Sequence, residues 1–312
     1  MKIPPIPIFQ DFPRYGCTGI AIALAFQTGM ARADSSQTGS AKGITVYVAG
    51  DIADCREHTA LQSPAAKTAD LVANGLKGDA QARVLTLGDN TYPKGDPGEF
   101  VQCYAPTWGR FKDLTLPAPG NHDYYTAGAA GYFGYFGVSA GQQQRGYYRS
   151  QIGNWRIFSL NSNLKDPAQQ ASQLAWLQAE LAKPGTGCTL AYWHHPLFSS
   201  GGHGNNPHMS AIWQALQNAK ADLVLAGHDH DYERFAPQTV DGKPDVSGMR
   251  EFVVGTGGTP LTPALMRRAN SEVINTDSHG VLKLTLQDHG YDWEFLSVNK
   301  DGFADNGSAT CH

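Results

Sequence analysis

Five short apolar runs in this chain each stop at a polar cluster: ITVYVAGD (44–51), ARVLTLGD (82–89), TLPAPGNH (115–122), CTLAYWHH (188–195) and DLVLAGHDH (222–230). Runs of this length, bounded by turn residues, read as strands that deliver their ends to one place. Between the first two lies a helical stretch, PAAKTADLVANGLKG (64–78), and DPAQQASQLAWLQAELAK (166–183) spaces Leu174, Leu177 and Leu181 at helical intervals. Strands alternating with helices predict α/β layers. GYYRSQIGNWRIFSLNS (146–162) and GVLKLTLQDHGYDWEFLSV (280–298) each divide into two strand-like halves around a glycine-containing turn, so the sheets are expected to be mixed. Residues 199–208 and 255–263, rich in Gly, Asn and Pro, are expected as loops near the strand ends. With 312 residues, 41% of them hydrophobic, the chain can bury a full core.

The N-terminus reads as an export signal, residues 1–33. Lys2 and Arg14 precede the apolar run Gly16 to Phe26, and Ala31-Arg32-Ala33 supplies a candidate cleavage point. The run is much shorter than the about 20 apolar residues that span a bilayer, so no membrane attachment is expected after cleavage. The expected location is periplasmic or secreted. Residues 34–312, which show no linker or low-complexity tract, are expected to form a single domain. They keep Cys55, Cys103, Cys188 and Cys311, an even number suited to an oxidising compartment. Three pairings are open. The expected one joins Cys55 to Cys103, which follow neighbouring strands, and Cys188 to Cys311, which would tie down the C-terminus. Residues 34–312 carry 21 basic and 27 acidic side chains, without a basic run. That argues against a nucleic-acid partner, while oligomeric state is left open.

In open α/β sheets the ligand site lies beyond the carboxyl ends of the strands, where Asp51, Asp89, Asn121, His194, His228 and His230 fall. Oxygen and neutral nitrogen together suit Fe, Mn or Zn. Gly50, Gly88, Gly120 and Gly227 each precede a polar residue, as a sharp turn or close backbone approach would require. Taken singly, each piece has an ordinary explanation as a turn, a cap or a core histidine. Their order and their shared position at strand ends point to a metal site.

The series GDIAD (50–54), GDNTY (88–92), GNHD (120–123), WHHP (193–196) and GHDHDYER (227–234) resembles the calcineurin-like metallophosphoesterase superfamily, and closely its purple acid phosphatase branch. Tyr92, three residues after Asp89, and the GHxHxYER form of the last motif carry the branch. The resemblance implies two mixed β-sheets packed as a sandwich with flanking helices, the α-β-β-α fold, and makes 34–312 the catalytic domain. It also implies two metal ions sharing Asp89. The first would be held in addition by Asp51, Tyr92 and His230, the second by Asn121, His194 and His228. Side chains at i and i+2 leave a strand on one face, so His228 and His230 could reach neighbouring ions about 3.5–4 Å apart. His194 and His195 would point to opposite faces, and the family's ligand two residues before a proline selects His194, leaving His195 to packing.

Tyr92 narrows the metal. As tyrosinate it gives a third negative ligand beside Asp51 and Asp89, matching Fe(III) paired with Fe(II), Zn or Mn; as a packed aromatic it would leave two Mn or Zn ions. The resemblance implies hydrolysis of phosphomonoesters by in-line attack of a metal-bound hydroxide. His122 and His203 are the candidates for phosphate contact and general acid, with Asp123 orienting His122. Phosphate-ester small molecules are the expected partners. A phosphodiesterase or nucleotide-directed relative, and a non-enzymatic metal- or phosphate-binding protein, are the other readings. Ala53 stands where the branch usually has glycine, which would alter the turn behind Asp51. The first strand begins about ten residues after Ala33, so the resemblance is to the smaller, single-domain kind. HDHDYE (228–233) has Tyr232 where the metallo-β-lactamase motif needs Asp, and GTGGT (255–259) lacks a P-loop lysine.

Overall fold

The computed structural model describes residues 43–185, 187–264, 266–299 and 302–312, with Lys2 and Pro4; the expected signal segment lies outside the described residues. Residues 41–312 group into one compact unit. Among the described residues the chain opens with β1 (Ile44–Ala49), β2 (Arg83–Leu87) and β3 (Thr115–Ala118) in a first sheet. A second sheet follows: β4 (Tyr148–Ile152), β5 (Trp155–Ser159), β6 (Thr189–Tyr192), β7 (Leu223–Ala226), β8 (Tyr232–Phe235), β9 (Arg250–Val254) and β10 (Ser271–Asn275). The chain then returns to the first sheet with β11 (Gly280–Gln287), β12 (Gly290–Ser297) and β13 (Asn306–Thr310). The strand orders are β13-β12-β11-β1-β2-β3 and β10-β8-β9-β7-β6-β5-β4.

The first sheet is parallel from β1 to its β3 edge and antiparallel in its other half, while the second has a parallel centre and antiparallel edges, so both are mixed as expected. β1, β2 and β3 run parallel, as do β5, β6, β7 and β9, while the two expected hairpins pair β4 with β5 and β11 with β12. Side chains alternate across a strand, and the second sheet uses that period to face two cores. Leu190, Tyr192, Leu223 and Leu225 join the core between the sheets, whereas Ala191 and Val224 face outward. Helices α4 (Pro167–Leu181) and α5 (Ser210–Asn218) cover that outer face with Leu177, Trp213 and Leu216. On the first sheet lies α1 (Pro64–Leu76), whose Ala65, Ala69 and Val72 recur at i, i+4 and i+7. Its N-terminus is fixed by Ser63, whose Oγ accepts from the Ala66 N–H at 3.3 Å, with Pro64 in the first turn. Asp166 and Pro167 start α4 in the same way.

The disulfides are Cys55–Cys103 and Cys188–Cys311, as expected. Their placement goes further than that expectation. Cys188 precedes β6 of the second sheet and Cys311 follows β13 at the edge of the first, so this bond ties one sheet to the other.

Candidate metal centre

The parallel pairing of β1 and β2 continues beyond the strands. The N–H groups of Asp51, Ile52 and Ala53 donate to the carbonyls of Gly88, Asp89 and Asn90 at 3.0–3.1 Å, and Tyr92 donates back to Ala53. Two chains therefore turn together, carrying Asp51, Asp89 and Tyr92 side by side. Ala53 sits in this ladder, bridged to Thr91, and nothing there requires the glycine usual in the family. The sharp turns fall on the site residues themselves: Asp51, Asp89 and His228 have φ of 59°, 48° and 73°. Such left-handed backbone is strained for residues with a Cβ and persists only where its surroundings dictate it. Of the flanking glycines, Gly120 serves close approach, since a Cβ there would stand 2.1 Å from Asp89 N and Oδ1.

These turns bring the acceptor atoms into two groups that meet at Asp89. Tyr92 Oη lies 2.9 Å from Asp51 Oδ1, 3.1 Å from Asp89 Oδ2 and 3.4 Å from His230 Nε2. His194 Nε2 lies 2.9 Å from Asn121 Oδ1, 3.2 Å from His228 Nδ1 and 3.4 Å from Asp89 Oδ2. An ion about 2.1 Å from each of two ligand atoms sets them about 3.0 Å apart at right angles and about 3.4 Å apart at the tetrahedral angle. Both groups have that spacing. The ring tautomers suit it as well: His194 Nδ1 donates to the Leu87 carbonyl at 2.9 Å and His230 Nδ1 to that of Pro260 at 3.0 Å, which turns each Nε2 toward the site.

With only protons to neutralise it, the centre is electrostatically frustrated. Burial disfavours charge on His194, yet the Asp89 carboxylate beside it raises the imidazole to about 9. Burial likewise opposes ionised Asp89, but His194 and His122 hold it below the usual carboxylate range. Burial pushes Asp51 up, and it pushes His228 down to about 2, leaving the neutral imidazole that a metal requires. Tyr92 is raised well above its ordinary value by burial first and by Asp51 and Asp89 second. A cation among these atoms would offset the burial cost of ionised Asp51, Asp89 and Tyr92 and keep the imidazoles neutral, so the donor set fits a metal pair.

Two steps of the sequence argument are corrected. His228 and His230 do not leave a strand on one face, because β7 ends at Ala226 and β8 begins at Tyr232. They converge because His228 is left-handed and its N–H donates to Asp51 Oδ2 at 2.8 Å. Likewise, His194 and His195 lie past the end of β6, so strand alternation does not separate them. Their rings are 4.9 Å apart, and His195 packs 4.4 Å from His228 with its Nδ1 on Ser162 Oγ.

His122 and His203 flank the two groups. His122 Nδ1 donates to the Pro93 carbonyl at 2.7 Å, and its Nε2 lies 3.9 Å from Asp89 Oδ2. Pro93 holds this ring directly, without a side-chain contact from Asp123. Asp123 instead braces the neighbouring turn, accepting from Gly120 N at 2.8 Å and Asn90 Nδ2 at 3.0 Å; burial and then the charge of Asp89 push it up to about 7. His203 stacks 4.2 Å over His228 and pairs through Nδ1 with Asp229 Oδ1 at 3.1 Å. Asp229 is a residue the sequence reading missed. It also accepts from His203 N, Ser199 Oγ and Gly204 N, while Glu233 accepts from Ser200 and Glu251 from Leu197 and Phe198. Three buried acids thus hold the 197–204 segment, and the Asp between two histidines in HDHD was the available signal. Among the aromatics of 124–136, Tyr125 is exposed beside His122, whereas Tyr132, Phe133 and Phe136 pack in the core.

Residues 44–232 match the calcineurin-like phosphoesterase family. Among curated proteins, purple acid phosphatase 21 of Arabidopsis thaliana is 36% identical over 94 residues, 28% of this chain and 21% of that protein. Purple acid phosphatase 22 of the same plant is 33% identical over 96 residues, 28% of this chain and 22% of that one. The matched stretch thus spans about a fifth of these relatives' length. The purple acid phosphatase PPD1 of yellow lupin (Lupinus luteus) superposes with a TM-score of 0.66 at 19% identity, over 87% of this chain and 54% of that one. GAP50, the anchor in the inner membrane complex of Plasmodium, gives 0.63 at 14% identity over 87% and 90%. Fold, motif order and relatives agree: the chain belongs to the calcineurin-like phosphoesterase family, in its purple acid phosphatase branch.

Proposed function

We propose that this chain is an exported phosphomonoesterase with two metal ions, one held by Asp51, Asp89, Tyr92 and His230 and the other by Asp89, Asn121, His194 and His228. The observation that carries this reading is the position of Asp89 Oδ2, 3.1 Å from Tyr92 Oη and 3.4 Å from His194 Nε2, between two sets of facing acceptors. When bound, the ions supply an acidified water and offset charge on the phosphoryl oxygens. Tyr92 favours a trivalent ion on its side, because burial and two carboxylates keep its hydroxyl protonated unless a strong positive charge opposes them. That supports Fe(III) paired with Fe(II), Zn or Mn.

The chain's own residues supply the remaining chemistry. Pro93 fixes His122 so that Nε2 faces the centre, where it contacts a phosphate oxygen. Asp229 holds His203 by Nδ1, leaving Nε2 to carry a proton. A water gives up one proton to solvent and its oxygen bonds to phosphorus as the bond to the leaving oxygen breaks; His203 Nε2 protonates that oxygen, which departs as the alcohol, and takes its next proton from solvent. Its hydrogen bond to the Asp229 carboxylate raises the His203 imidazole above its ordinary value, keeping the acid form available. Two disulfides support residence in an oxidising compartment.

The test is metal content, visible absorption and turnover of a phosphomonoester and a phosphodiester by the purified chain. Two metals, a tyrosinate-to-iron band and faster monoester turnover are expected. Metal without turnover of either ester would make it a binding protein, and no metal would sink the mechanism.

A further inference from the structure

A cavity of about 900 Å³ opens beside the centre, reaching from Asn121 and Tyr125 to residues 165–176 at the start of α4. That is large for a site that holds only one phosphate, and falls in the range of pockets for whole ligands. One wall is aromatic: Tyr147 and Trp176 have ring centroids 5.0 Å apart, with Phe158 behind Trp176 at 6.1 Å. The cavity also receives Arg145 and Lys165, and among the described residues neither is ion-paired with a carboxylate. Arg145 donates to the Gln143 side chain, and its guanidinium lies 6.0 Å from the Tyr147 ring centroid. The one acid in the lining, Asp166, is engaged as the N-cap of α4, accepting from Ala168 N at 2.9 Å.

On a chain of net charge −4, two unpaired cations in one cavity are notable for what they attract. Both side chains are exposed to the cavity; with the scissile phosphoryl group on the metal centre, a second anion drawn to them would belong to the leaving group. We propose, resting on the phosphatase reading above, that the cavity is a leaving-group subsite selecting substrates whose leaving group joins an aromatic ring to a second anion. The ring lies against Trp176 and the anion meets Arg145 and Lys165. Nucleoside diphosphates and aryl phosphates bearing a carboxylate share this chemistry.

Four probes separate the two features: glycerol phosphate has neither, phenyl phosphate the ring, pyrophosphate the anion, and ADP both. The paired substitutions Arg145→Ala and Lys165→Ala are expected to lower kcat/KM for ADP at least about tenfold relative to that for phenyl phosphate. Trp176→Leu is expected to lower it severalfold relative to that for pyrophosphate. Repeating the first comparison with 4-carboxyphenyl phosphate separates the sources: a larger loss with ADP assigns the subsite to nucleotides, an equal loss to aromatic acids generally. Equal losses on all four probes would overturn the proposal. If the unsubstituted chain turns over none of them, the phosphatase reading fails, and calorimetry of ADP binding decides the subsite alone. Binding that weakens at least about tenfold in Arg145→Ala retains it, and unchanged binding removes it.

Discussion

The two halves of the centre are positioned by different means. The first sheet contributes mostly oxygen, through Asp51, Asp89, Tyr92 and Asn121, and the second only nitrogen, through His194, His228 and His230. The oxygen half is fixed by paired backbone turns, with Asp51 and Asp89 forced into left-handed conformations. Carbonyls outside the second sheet orient the nitrogen half: Leu87, which holds His194, ends a strand of the first sheet, and Pro260, which holds His230, lies in a loop. Asp51 Oδ2 accepts from His228 N, closing the joint in the other direction. Each half is therefore placed by groups beyond its own strands, and the centre behaves as a junction between sheets.

Asp89 belongs to both sets, so its loss should break the junction most severely. Asp89→Ala is expected to abolish binding of both ions and to lower turnover by at least about a thousandfold. Metal analysis together with kcat checks this, and retention of one ion per chain would show that the halves bind independently. Gly120→Ala tests the same junction without removing a ligand. The added Cβ would fall 2.1 Å from Asp89 N and Oδ1, so a loss of about 1–3 kcal/mol in denaturant unfolding is expected, together with weaker metal binding. Tyr92→Phe touches only the oxygen half. Iron content and the visible band should fall, with affinity down by about 10–100-fold, while the divalent ion assigned to Asp89, Asn121, His194 and His228 remains. Equal loss of both ions would show that the two ion sites form only together.

Much of this arrangement was legible in the sequence because strands and site residues share one signal, an apolar run stopped by a polar cluster. That signal placed β1, β2, β3, β6 and β7 and marked six of the seven candidate ligands, Tyr92 being supplied by the family resemblance. What it did not carry was the means of convergence. The i, i+2 argument for His228 and His230 fails because the strand ends before them, and a left-handed φ at Asp51, Asp89 or His228 leaves no mark on residue type. Backbone carbonyls such as Pro93 and Pro260 orient rings without any side-chain signature, so the sequence pointed to Asp123 for His122, which it serves only by bracing the Gly120 turn. Most of the cavity wall stayed hidden for a related reason: Arg145, Lys165 and Trp176 come from segments that only the tertiary fold brings beside Asn121.

His203 stands outside both halves and is held by Asp229 from within the last motif, so its loss should spare metal binding and act on turnover alone. His203→Asn should lower kcat/KM about a hundredfold for an alkyl phosphate, whose leaving oxygen needs a proton, and far less for an aryl phosphate with a stable phenolate. Asp229→Asn should act more mildly and in one direction. The Asp229 hydrogen bond is the main cause of the raised His203 value, with burial opposing it. A raised histidine stays protonated to higher pH, so the stability it contributes is complete below about 6.5 and is lost as pH rises through the folded-state value. Removing the carboxylate charge should therefore move the alkaline limb of the alkyl phosphate profile to lower pH and leave the acid limb in place. A shift of the acid limb instead would mean that Asp229 acts through the neighbouring histidines of the centre, and the nitrogen half would then have to include the 197–204 segment.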